Sequence, residues 1–411
     1  MAHSLRRRAR RCSAVALASI LVGWGCGDRT GGRSAAGAEG DALLLSVSVF
    51  ATNEDGSPKP VQARMAILTP DGSGWSHRFI EDPDSNVFHK AMVYRGGGTE
   101  GILTLGGAKA AVKLWTPSGS SDTLWEADFG GEFSRMRDAE VGDIYGDGAA
   151  AVAVATHDQG VVAVLRPDGS GGFAIDELDA EPDTVVHEIE LGDLDGDGVL
   201  EVYATRSPPN RVDGSPQPGV VVRYVPAQGQ GRVVVANLGA RHAKEILVED
   251  VDGDGRDELY VSVEAVSGGQ VEIRRYDAGT DPRARNVIAT LDDQLCRFLT
   301  AGDVDGDGML EIVAATHRAG LWLLRRRGDA WEQTLIAADS SSFEHATVLL
   351  DLDGDGRDEL YVASDDQGQV RRYTWEGDAW QREIIWEYSD GLPRFTWNIM
   401  PAPVGLLPAG P

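Results

Sequence analysis

The stretch that starts at Asp303 reads DVDGDGMLEIVAA, and three further stretches share its layout. They are DLDGDGVLEVYAT from Asp193, DVDGDGRDELYVS from Asp250 and DLDGDGRDELYVA from Asp351. In all four, aspartate occupies positions 1, 3 and 5, glycine occupies positions 4 and 6, and glutamate occupies position 9. The residues that follow are rich in Val, Tyr and Ile, which is typical of a β-strand. A turn that merely favours Asp and Gly does not require the glutamate, so the repeat indicates a loop with a chemical role.

Metal binding is the role that this residue set predicts. Carboxylates at positions 1, 3, 5 and 9, with the backbone carbonyl of position 7, form a hard-oxygen set of the kind that Ca²⁺ prefers, and Gly at position 6 permits the sharp turn. An EF-hand is excluded, because position 12 is Ala or Val and the flanks are strands rather than helices. We therefore expect about four Ca²⁺ ions, held by Asp193, Asp195, Asp197, Val199 and Glu201; by Asp250, Asp252, Asp254, Arg256 and Glu258; by Asp303, Asp305, Asp307, Met309 and Glu311; and by Asp351, Asp353, Asp355, Arg357 and Glu359.

The loops recur at intervals of 57, 53 and 48 residues, and two weaker copies precede them. A copy that begins at Asp143 has Tyr145 and Ala151 at positions 3 and 9, so we expect it to bind no ion. Only an outline remains near Arg95. In the Asp303 unit, strands are expected at CRFLTAG, LEIVAAT, LWLLRR and WEQTLIA. A period near 50 residues with four strands per repeat is typical of a β-propeller blade.

Six such units leave a fragment at each end of the chain, and the two fragments complement each other. The N-terminal fragment supplies LLLSVSVFAT, ARMAILT and WSHRFIE, which correspond to strands 2, 3 and 4. The C-terminal segment RFTWNIM corresponds to a strand 1. Joining them closes a seventh blade and removes the exposed sheet edges. The prediction is an all-β, seven-bladed propeller over residues 41–411, with six or eight blades as the alternatives.

The loops resemble those of the FG-GAP/VCBS repeat superfamily, which includes the propeller of integrin α chains. The resemblance covers roughly residues 85–400. It implies that the metal loops stiffen the blades on one face and that ligands bind the opposite face. The family includes adhesins, lectins and a few enzyme domains, so the resemblance does not determine the function.

The N-terminus is expected to be a targeting segment. Five arginines precede the apolar run SAVALASILVGW, and Cys26 follows shortly after. Residues 1–26 resemble a bacterial lipoprotein signal with Cys26 as the lipidated residue, and residues 27–40 resemble a flexible tether. Gly27 implies an outer-membrane lipoprotein of the cell envelope; a secreted or periplasmic protein is the alternative.

The charge balance argues against several partners. The full chain has a net charge of −27, and removal of residues 1–26 takes away five arginines and no acid, which leaves −32. Nucleic acid and anionic membranes are therefore not expected as partners, except that a lipid anchor would attach the protein to a membrane. We expect a monomer. Cys296 would be the only mature cysteine, and a structural role is expected for it.

A ring of basic residues is expected at the other end of strand 1. Counting six residues back from each loop start, and aligning the two outer units in the same way, gives His89, Arg137, His187, Lys244, Arg297, His345 and Arg394. One interpretation is a channel mouth that binds an anionic ligand. The other is that these residues form ion pairs with neighbouring acids such as Asp138, Glu188 and Glu245. The sequence leaves both open.

The sequence contains no Gly-x-Ser-x-Gly elbow, no His-Glu-x-x-His and no phosphate-binding loop. We therefore predict a non-catalytic binding module for a glycan or protein ligand. The alternatives are a polysaccharide lyase or hydrolase that acts on an acidic glycan, and a purely structural envelope protein.

Overall fold

The computed structural model describes residues 41–53, 58–130, 135–157, 159–209, 211, 213–266, 268–377 and 379–410. The expected signal peptide with Cys26 and the expected tether lie outside the described residues. None of the helices in this part of the chain has the length and apolarity needed to span a bilayer.

The described chain forms seven small antiparallel sheets arranged as the blades of a propeller. The first strands belong to the closing blade, blade 7: β1 (Asp41–Thr52), β2 (Pro58–Pro60), β3 (Ala63–Asp71) and β4 (Gly74–Asp82). Blade 1 comprises β5 (Val87–Gly96), β6 (Thr99–Gly107), β7 (Ala110–Trp115) and β8 (Ser121–Ala127). Blade 2 comprises β9 (Met136–Gly142), β10 (Ala151–Thr156), β11 (Val162–Pro167) and β12 (Phe173–Asp179).

The next four blades follow the same order. Blade 3 comprises β13 (Ile189–Gly192), β14 (Glu201–Arg206), β15 (Val220–Val225) and β16 (Gln230–Asn237), and blade 4 comprises β17 (Ala243–Glu249), β18 (Glu258–Val263), β19 (Val271–Tyr276) and β20 (Val287–Leu291). Blade 5 comprises β21 (Cys296–Gly302), β22 (Glu311–Thr316), β23 (Leu321–Arg327) and β24 (Ala330–Ala337). Blade 6 comprises β25 (Thr347–Leu350), β26 (Glu359–Ser364), β27 (Gln369–Glu376) and β28 (Ala379–Glu387), and β29 (Arg394–Pro403) completes blade 7. Three short 3₁₀ helices cover Pro226–Gln228, Asp365–Gln367 and Val404–Leu406.

Blade 7 is closed by both ends of the chain, as the sequence predicts. Strand β29 pairs antiparallel with β1, with Leu44 opposite Met400, and β1 continues the sheet through β3 to β4. The strand that the N-terminal fragment lacks is therefore supplied by the C-terminus. The predicted fold class, the seven blades and this closure are confirmed.

Burial decreases from the inside of each blade to the outside. The second strand is buried at every position in blades 2 to 6, whereas the fourth strand is mostly exposed, as in β24. Because the second strand is covered on both sides by adjacent blades, its middle positions are mostly apolar, as in the AVAVA of β10. The clusters between blades combine both neighbours; one joins Ala153 of blade 2 to Tyr224 of blade 3.

The first strands, β5, β9, β13, β17, β21, β25 and β29, contact each other in a closed ring. Because successive strands are antiparallel, the connections from strand 1 to strand 2 in blades 1 to 6 lie on one face. This is called the loop face below. The connections from strand 2 to strand 3, and from one blade to the next, lie on the other face, called the opposite face.

Candidate functional site

The four acidic loops have one geometry, which blade 4 illustrates. Both carboxylate oxygens of Asp250 accept backbone hydrogen bonds, from Asp254 N at 3.0 Å and from Gly255 N at 2.9 Å. Asp254 in turn accepts from Arg256 N at 3.0 Å. Gly253 and Gly255 adopt φ of 73° and 90°, a left-handed conformation that favours glycine, so the repeated glycines are required by the turn.

The acidic side chains converge in each loop. In blades 4 and 6 all four predicted acids bring a carboxylate oxygen within 4.8 Å of one another. In blade 3 the cluster contains the three aspartates without Glu201, and in blade 5 it contains Asp303, Asp305 and Glu311 without Asp307. Glu201 instead hydrogen-bonds to Tyr203 and pairs with Arg223 at 2.6 Å. The contribution of the position-7 carbonyls, at Val199, Arg256, Met309 and Arg357, stays a prediction.

The glutamate at position 9 is the first residue of strand 2 in all four blades, which explains why the motif ends there. Glu258 is buried, and its Oε2 accepts hydrogen bonds from Val251 N at 3.3 Å and from the Tyr260 hydroxyl at 3.0 Å. Burial raises the pKa of Glu258, Glu311 and Glu359 to about 7. A buried carboxylate gains most from a nearby cation, because burial disfavours its charged form.

One buried oxygen in blade 4 lacks any hydrogen-bond partner. The Asp252 side chain is 7% exposed; its Oδ2 pairs with Arg275 at 2.7 Å, while its Oδ1 accepts no hydrogen bond. Asp305 Oδ1 in blade 5 is orphaned in the same way. Buried polar atoms normally have a partner. Asp252 and Asp305 both belong to the converging clusters, so the residues fit a divalent cation with oxygen ligands.

Arginines of strand 3 partly neutralise the loops, and they do so unequally. Arg325 pairs with Asp305 at 2.8 Å and with Glu311 at 2.9 Å, and Arg275 has the corresponding role in blade 4. In blade 6, none of the ion pairs among the described residues involves Asp351, Asp353, Asp355 or Glu359, and Arg372 of strand 3 attracts Glu359 without a direct contact.

The degraded loop of blade 2 keeps the turn of the intact loops, but Tyr145 and Arg166 lie beside its remaining acids. Asp143 accepts hydrogen bonds from Asp147 N and Gly148 N, both at 2.9 Å, as in the intact loops. The Arg166 guanidinium lies 4.7 Å from the Tyr145 ring centroid and bonds to Asp147 at 2.6 Å. Arg166 thus pairs with the position-5 aspartate of this loop. That the loop binds no ion stays a prediction.

Most of the predicted basic ring shares a structural position at the opposite end of strand 1. In blades 1, 2, 4 and 5 the β-pairing skips one residue of this strand, and the skipped residues are His89, Arg137, Lys244 and Arg297. His187 and His345 precede β13 and β25, and His345 has a φ of 56°. Such bulges redirect a side chain. The six residues are a structural repeat, as the spacing predicts.

Arg394 is the exception. In β29 the pairing passes from Asn398 directly to Thr396, so the bulged residue is Trp397. Arg394 lies apart from the ring, paired with Asp390 and 3.9 Å from the Tyr388 ring centroid. The predicted alignment of Arg394 with the other six is therefore wrong, because the bulge of this blade lies three residues further along the chain.

The ring residues are buried, and three of them, Arg137, Lys244 and Arg297, form ion pairs. Trp397 contacts three blades: its ring lies 4.8 Å from the His89 ring, 5.0 Å from the Arg137 guanidinium and 5.7 Å from Lys244 Nζ. Glu344, from the connection before β25, pairs with Lys244, with Arg297 at 3.1 Å and with Arg137 at 3.8 Å. The channel plug is the name used below for the group Arg137, Lys244, Arg297, Phe343, Glu344 and Trp397.

The charged groups of the plug shift one another's pKa values, because three cations share one buried carboxylate. Burial alone would raise the pKa of Glu344, but Lys244, Arg297 and Arg137 outweigh it and hold the pKa at about 2. Burial and the neighbouring guanidiniums lower the pKa of Lys244 to about 7. Burial also lowers the pKa of His345 to about 4 and the pKa values of His89 and His187 well below the ordinary value. The seven predicted residues are all 9% exposed or less, so the ring does not form an open mouth.

A cavity of about 610 Å³ opens on the opposite face between blades 4, 5 and 6. Asp292, Gln294 and Arg318 are exposed on its rim, while His317 and Phe343 are half-buried. Asp293 orders the rim, because its Oδ2 accepts from Arg318 N at 2.6 Å and from Ala319 N at 2.7 Å. The Phe343 ring also lies 4.1 Å from the Arg297 guanidinium, so the plug supports this wall of the cavity.

Sequence comparison supports the repeat. Residues 143–204 and 250–314 match the family model described as FG-GAP-like repeat. These residues are FG-GAP-like repeats, and they lie within the seven-bladed β-propeller. The match includes the degraded Asp143 loop, which places that loop within the repeat. None of the curated protein sequences compared with this propeller matches it.

Solved structures resemble this propeller in fold alone. A putative 6-phosphogluconolactonase from Bacteroides uniformis is 11% identical, with a TM-score of 0.54, 87% of this chain covered and 99% of that one. A protein from Lactobacillus plantarum is 10% identical, with the same TM-score and coverage. Sqt1 from Saccharomyces cerevisiae is 9% identical, with a TM-score of 0.50 and coverage of 78% and 79%.

Proposed function

We propose that this protein is an exported, calcium-stiffened propeller that binds a glycan on the opposite face without converting it chemically. The proposal includes a lipid anchor on Cys26 and a place in the cell envelope, both of which rest on the N-terminal sequence. A bound Ca²⁺ would offset the repulsion between the carboxylates of each loop. The hydrogen bonds of the position-1 aspartate hold the turn that joins strand 1 to strand 2.

The cavity between blades 4, 5 and 6 is the observation that carries the ligand-binding role. Its volume of about 610 Å³ lies within the range of small-molecule sites. It combines an aromatic wall, Phe343, with the exposed polar side chains of Asp292, Gln294 and Arg318. An aromatic face beside hydrogen-bonding groups of both kinds matches a sugar, which has apolar C–H faces and hydroxyls.

The charge of the rim favours a neutral glycan over an acidic one. Asp292 and Asp293 contribute two carboxylates, and Arg318 contributes one cation. The pKa of His317 is lowered, mainly because this side chain is partly buried. The cations that would attract an anionic ligand are instead committed to Glu344 inside the plug. The proposed ligand is therefore a neutral oligosaccharide presented on a surface or in solution.

The test is a glycan array probed with the chain from residue 27 onward, comparing wild type with Gln294→Ala and Arg318→Ala. We expect neutral glycans to bind, and Arg318→Ala to weaken binding roughly ten-fold, since loss of a charged hydrogen bond costs about 1.5–3 kcal/mol. Arg327→Ala is the matched control, because this exposed arginine lies in the same blade but at the loop face.

Mass spectrometry of the eluted glycan distinguishes binding from catalysis. Recovery of intact glycan supports the proposal, whereas a shortened or unsaturated product would establish the lyase or hydrolase alternative. The proposal fails if no glycan binds, or if both rim variants bind as well as wild type.

A further inference from the structure

The acidic loops of adjacent blades touch each other, and they do so in alternation. The loops of blades 4 and 6 have Arg-Asp at positions 7 and 8, namely Arg256-Asp257 and Arg357-Asp358. The loops of blades 3 and 5 have Val-Leu and Met-Leu at these positions. The Arg-Asp pairs are called the clasps below. Each clasp reaches back to the loop of the preceding blade.

The clasp aspartate holds the first ligand residue of its neighbour at two points. Asp257 Oδ2 accepts a hydrogen bond from Asp193 N at 2.6 Å, and Asp257 N donates to the Asp193 carbonyl at 3.4 Å. In the second pair, Asp358 Oδ2 accepts from Asp303 N at 2.7 Å, and Asp358 N donates to the Asp303 carbonyl at 2.8 Å. Both contacts join consecutive blades, 3 with 4 and 5 with 6.

The clasp arginine and the preceding glycine complete the contact. Arg256 packs so closely on Gly196 that a β-carbon there would lie 3.1 Å from Arg256 Cγ, and Arg357 packs on Gly306 in the same way. A β-carbon on Gly302 would lie 2.6 Å from Asp358 Oδ2, and one on Gly192 would lie 3.0 Å from Asp257 Oδ2. Glycine before the first aspartate leaves room for the clasp aspartate and, at Gly192, also for Val248, whose Cγ1 would lie 2.2 Å from a β-carbon there.

The described interface between blades 4 and 5 differs. A β-carbon on Gly253 would lie 3.7 Å from Met309 Cε, and position 8 is the apolar Leu310, which has no carboxylate to accept a hydrogen bond. The accessibility of the first aspartate follows the same alternation. The clasped Asp193 and Asp303 are buried, at 6% and 9% exposure, whereas the unclasped Asp250 and Asp351 are half-buried.

We infer that Asp257 and Asp358 are positioning residues for the metal site of the preceding blade, and that the four sites work as two coupled pairs. This inference rests on the proposed calcium binding, which the orphaned buried Oδ1 of Asp252 supports independently. A cation held by Asp254 and Glu258 fixes the segment between them, which includes Asp257, and Asp257 fixes Asp193. Occupation of the blade 4 site thus favours the blade 3 site, and the coupling is reciprocal.

The test uses full-length chains that keep a single loop. In the first background Asp254→Asn, Asp307→Asn and Asp355→Asn leave only the blade 3 loop intact; in the second, Asp197→Asn, Asp254→Asn and Asp355→Asn leave only blade 5. Asp257→Ala and Asp358→Ala are added separately to each background. Calcium affinity is measured by isothermal titration calorimetry, and melting in chelator checks that each variant is folded.

A crossed result is expected. Asp257→Ala weakens calcium binding about ten-fold in the blade 3 background and leaves the blade 5 background unchanged, whereas Asp358→Ala does the reverse; outer-shell partners of metal ligands typically contribute 10–100-fold. Asp257→Asn keeps an oxygen acceptor and restores most of the affinity. A general structural effect would instead weaken both backgrounds alike.

The coupling has its own readout. Restoring Asp254 in the blade 3 background should raise the affinity of the blade 3 site above its single-site value. Equal or absent effects of the two alanine variants overturn the inference while calcium binding stands. If the wild-type chain takes up no calcium at all, the proposed function loses its metal component and the inference fails with it.

Discussion

The two ends of the inner strands carry opposite charges and differ in accessibility. At the loop face, aspartates such as Asp353 and Asp355 are exposed, and no described lysine or arginine pairs with them. At the other end, Arg137, Lys244 and Arg297 are buried and share Glu344. Both sets repeat blade by blade. Repetition of a charged residue therefore indicates a shared structural position, and only its burial and partners show whether it can meet a ligand.

Calcium removal is expected to have the largest effect on thermal stability, because it acts on the accessible acidic loops of the loop face. A hundred-fold excess of Ca²⁺ over Kd stabilises the folded state by about 2.7 kcal/mol per site, since the unfolded chain does not assemble the loops. The melting temperature in EDTA should therefore be much lower than the melting temperature in calcium. Asp355→Asn, in the blade 6 loop, should remove about one site's share of the gain.

The matched control for this prediction is Asp147→Asn. This residue occupies the same position 5 in the degraded loop, where Arg166 is its partner. In Asp147→Asn, the increase in melting temperature on addition of calcium should be the same as in the wild type. A gain that falls equally in both variants would contradict the assignment of the metal to the intact loops.

Loss of the shared carboxylate should give the next largest effect. Glu344→Gln leaves the buried Arg137 and Lys244 without their carboxylate partner and removes one of the two carboxylate partners of Arg297. Breaking a buried pair in this way costs about 3–5 kcal/mol. The free energy of unfolding from urea titration measures it. Glu126→Gln, which removes an exposed partner of Lys109, should change the stability by less than about 1 kcal/mol. Equal effects of the two variants would show that the plug is not the buried network described.

Stability should also depend on acid through the same residue. The pKa of Glu344 is about 2 in the folded chain against an ordinary value of 4.5, so the unfolded chain binds more protons between these values. The contribution of Glu344 to the free energy of unfolding is thus fully present above pH 4.5. It falls by about 3 kcal/mol as the pH decreases toward 2. Chelator-treated wild type should show the loss, and Glu344→Gln should show less of it. Parallel curves for the two chains would argue against Glu344 as the source.

The smallest effect is expected from rebuilding the degraded loop. Tyr145→Asp, Ala151→Glu and Arg166→Gln restore the two missing acids of blade 2 and remove the competing guanidinium. Calorimetry should then detect one more bound Ca²⁺ than in the wild type. The single Arg166→Gln variant is the control and should add none. An unchanged stoichiometry in the triple variant would mean that the acids alone do not make a site.

The fold was predictable because its signals are local and repeated. Each loop motif is followed by its strand at Glu201, Glu258, Glu311 or Glu359, and the strand 1 missing from the N-terminal fragment was recognisable in Arg394–Met400. The described strand Cys296–Gly302 coincides with the predicted CRFLTAG.

The plug was not predictable for the opposite reason. Glu344 reaches Lys244 from 100 residues away in the chain, and the bulge at Trp397 shifts the repeat by three residues, which misplaced Arg394. The clasps, in contrast, are visible in the sequence. Arg-Asp occurs at positions 7 and 8 in alternate loops only, and the loop before each has glycine ahead of its first aspartate.

Anomalous diffraction from crystals grown with calcium tests the central claim most directly. The account predicts four peaks, one in each loop that begins at Asp193, Asp250, Asp303 and Asp351, with carboxylate oxygens about 2.3–2.6 Å away. The loop at Asp143 should show none. Crystals without peaks at the four loops, or with a peak at Asp143 in their place, would contradict it.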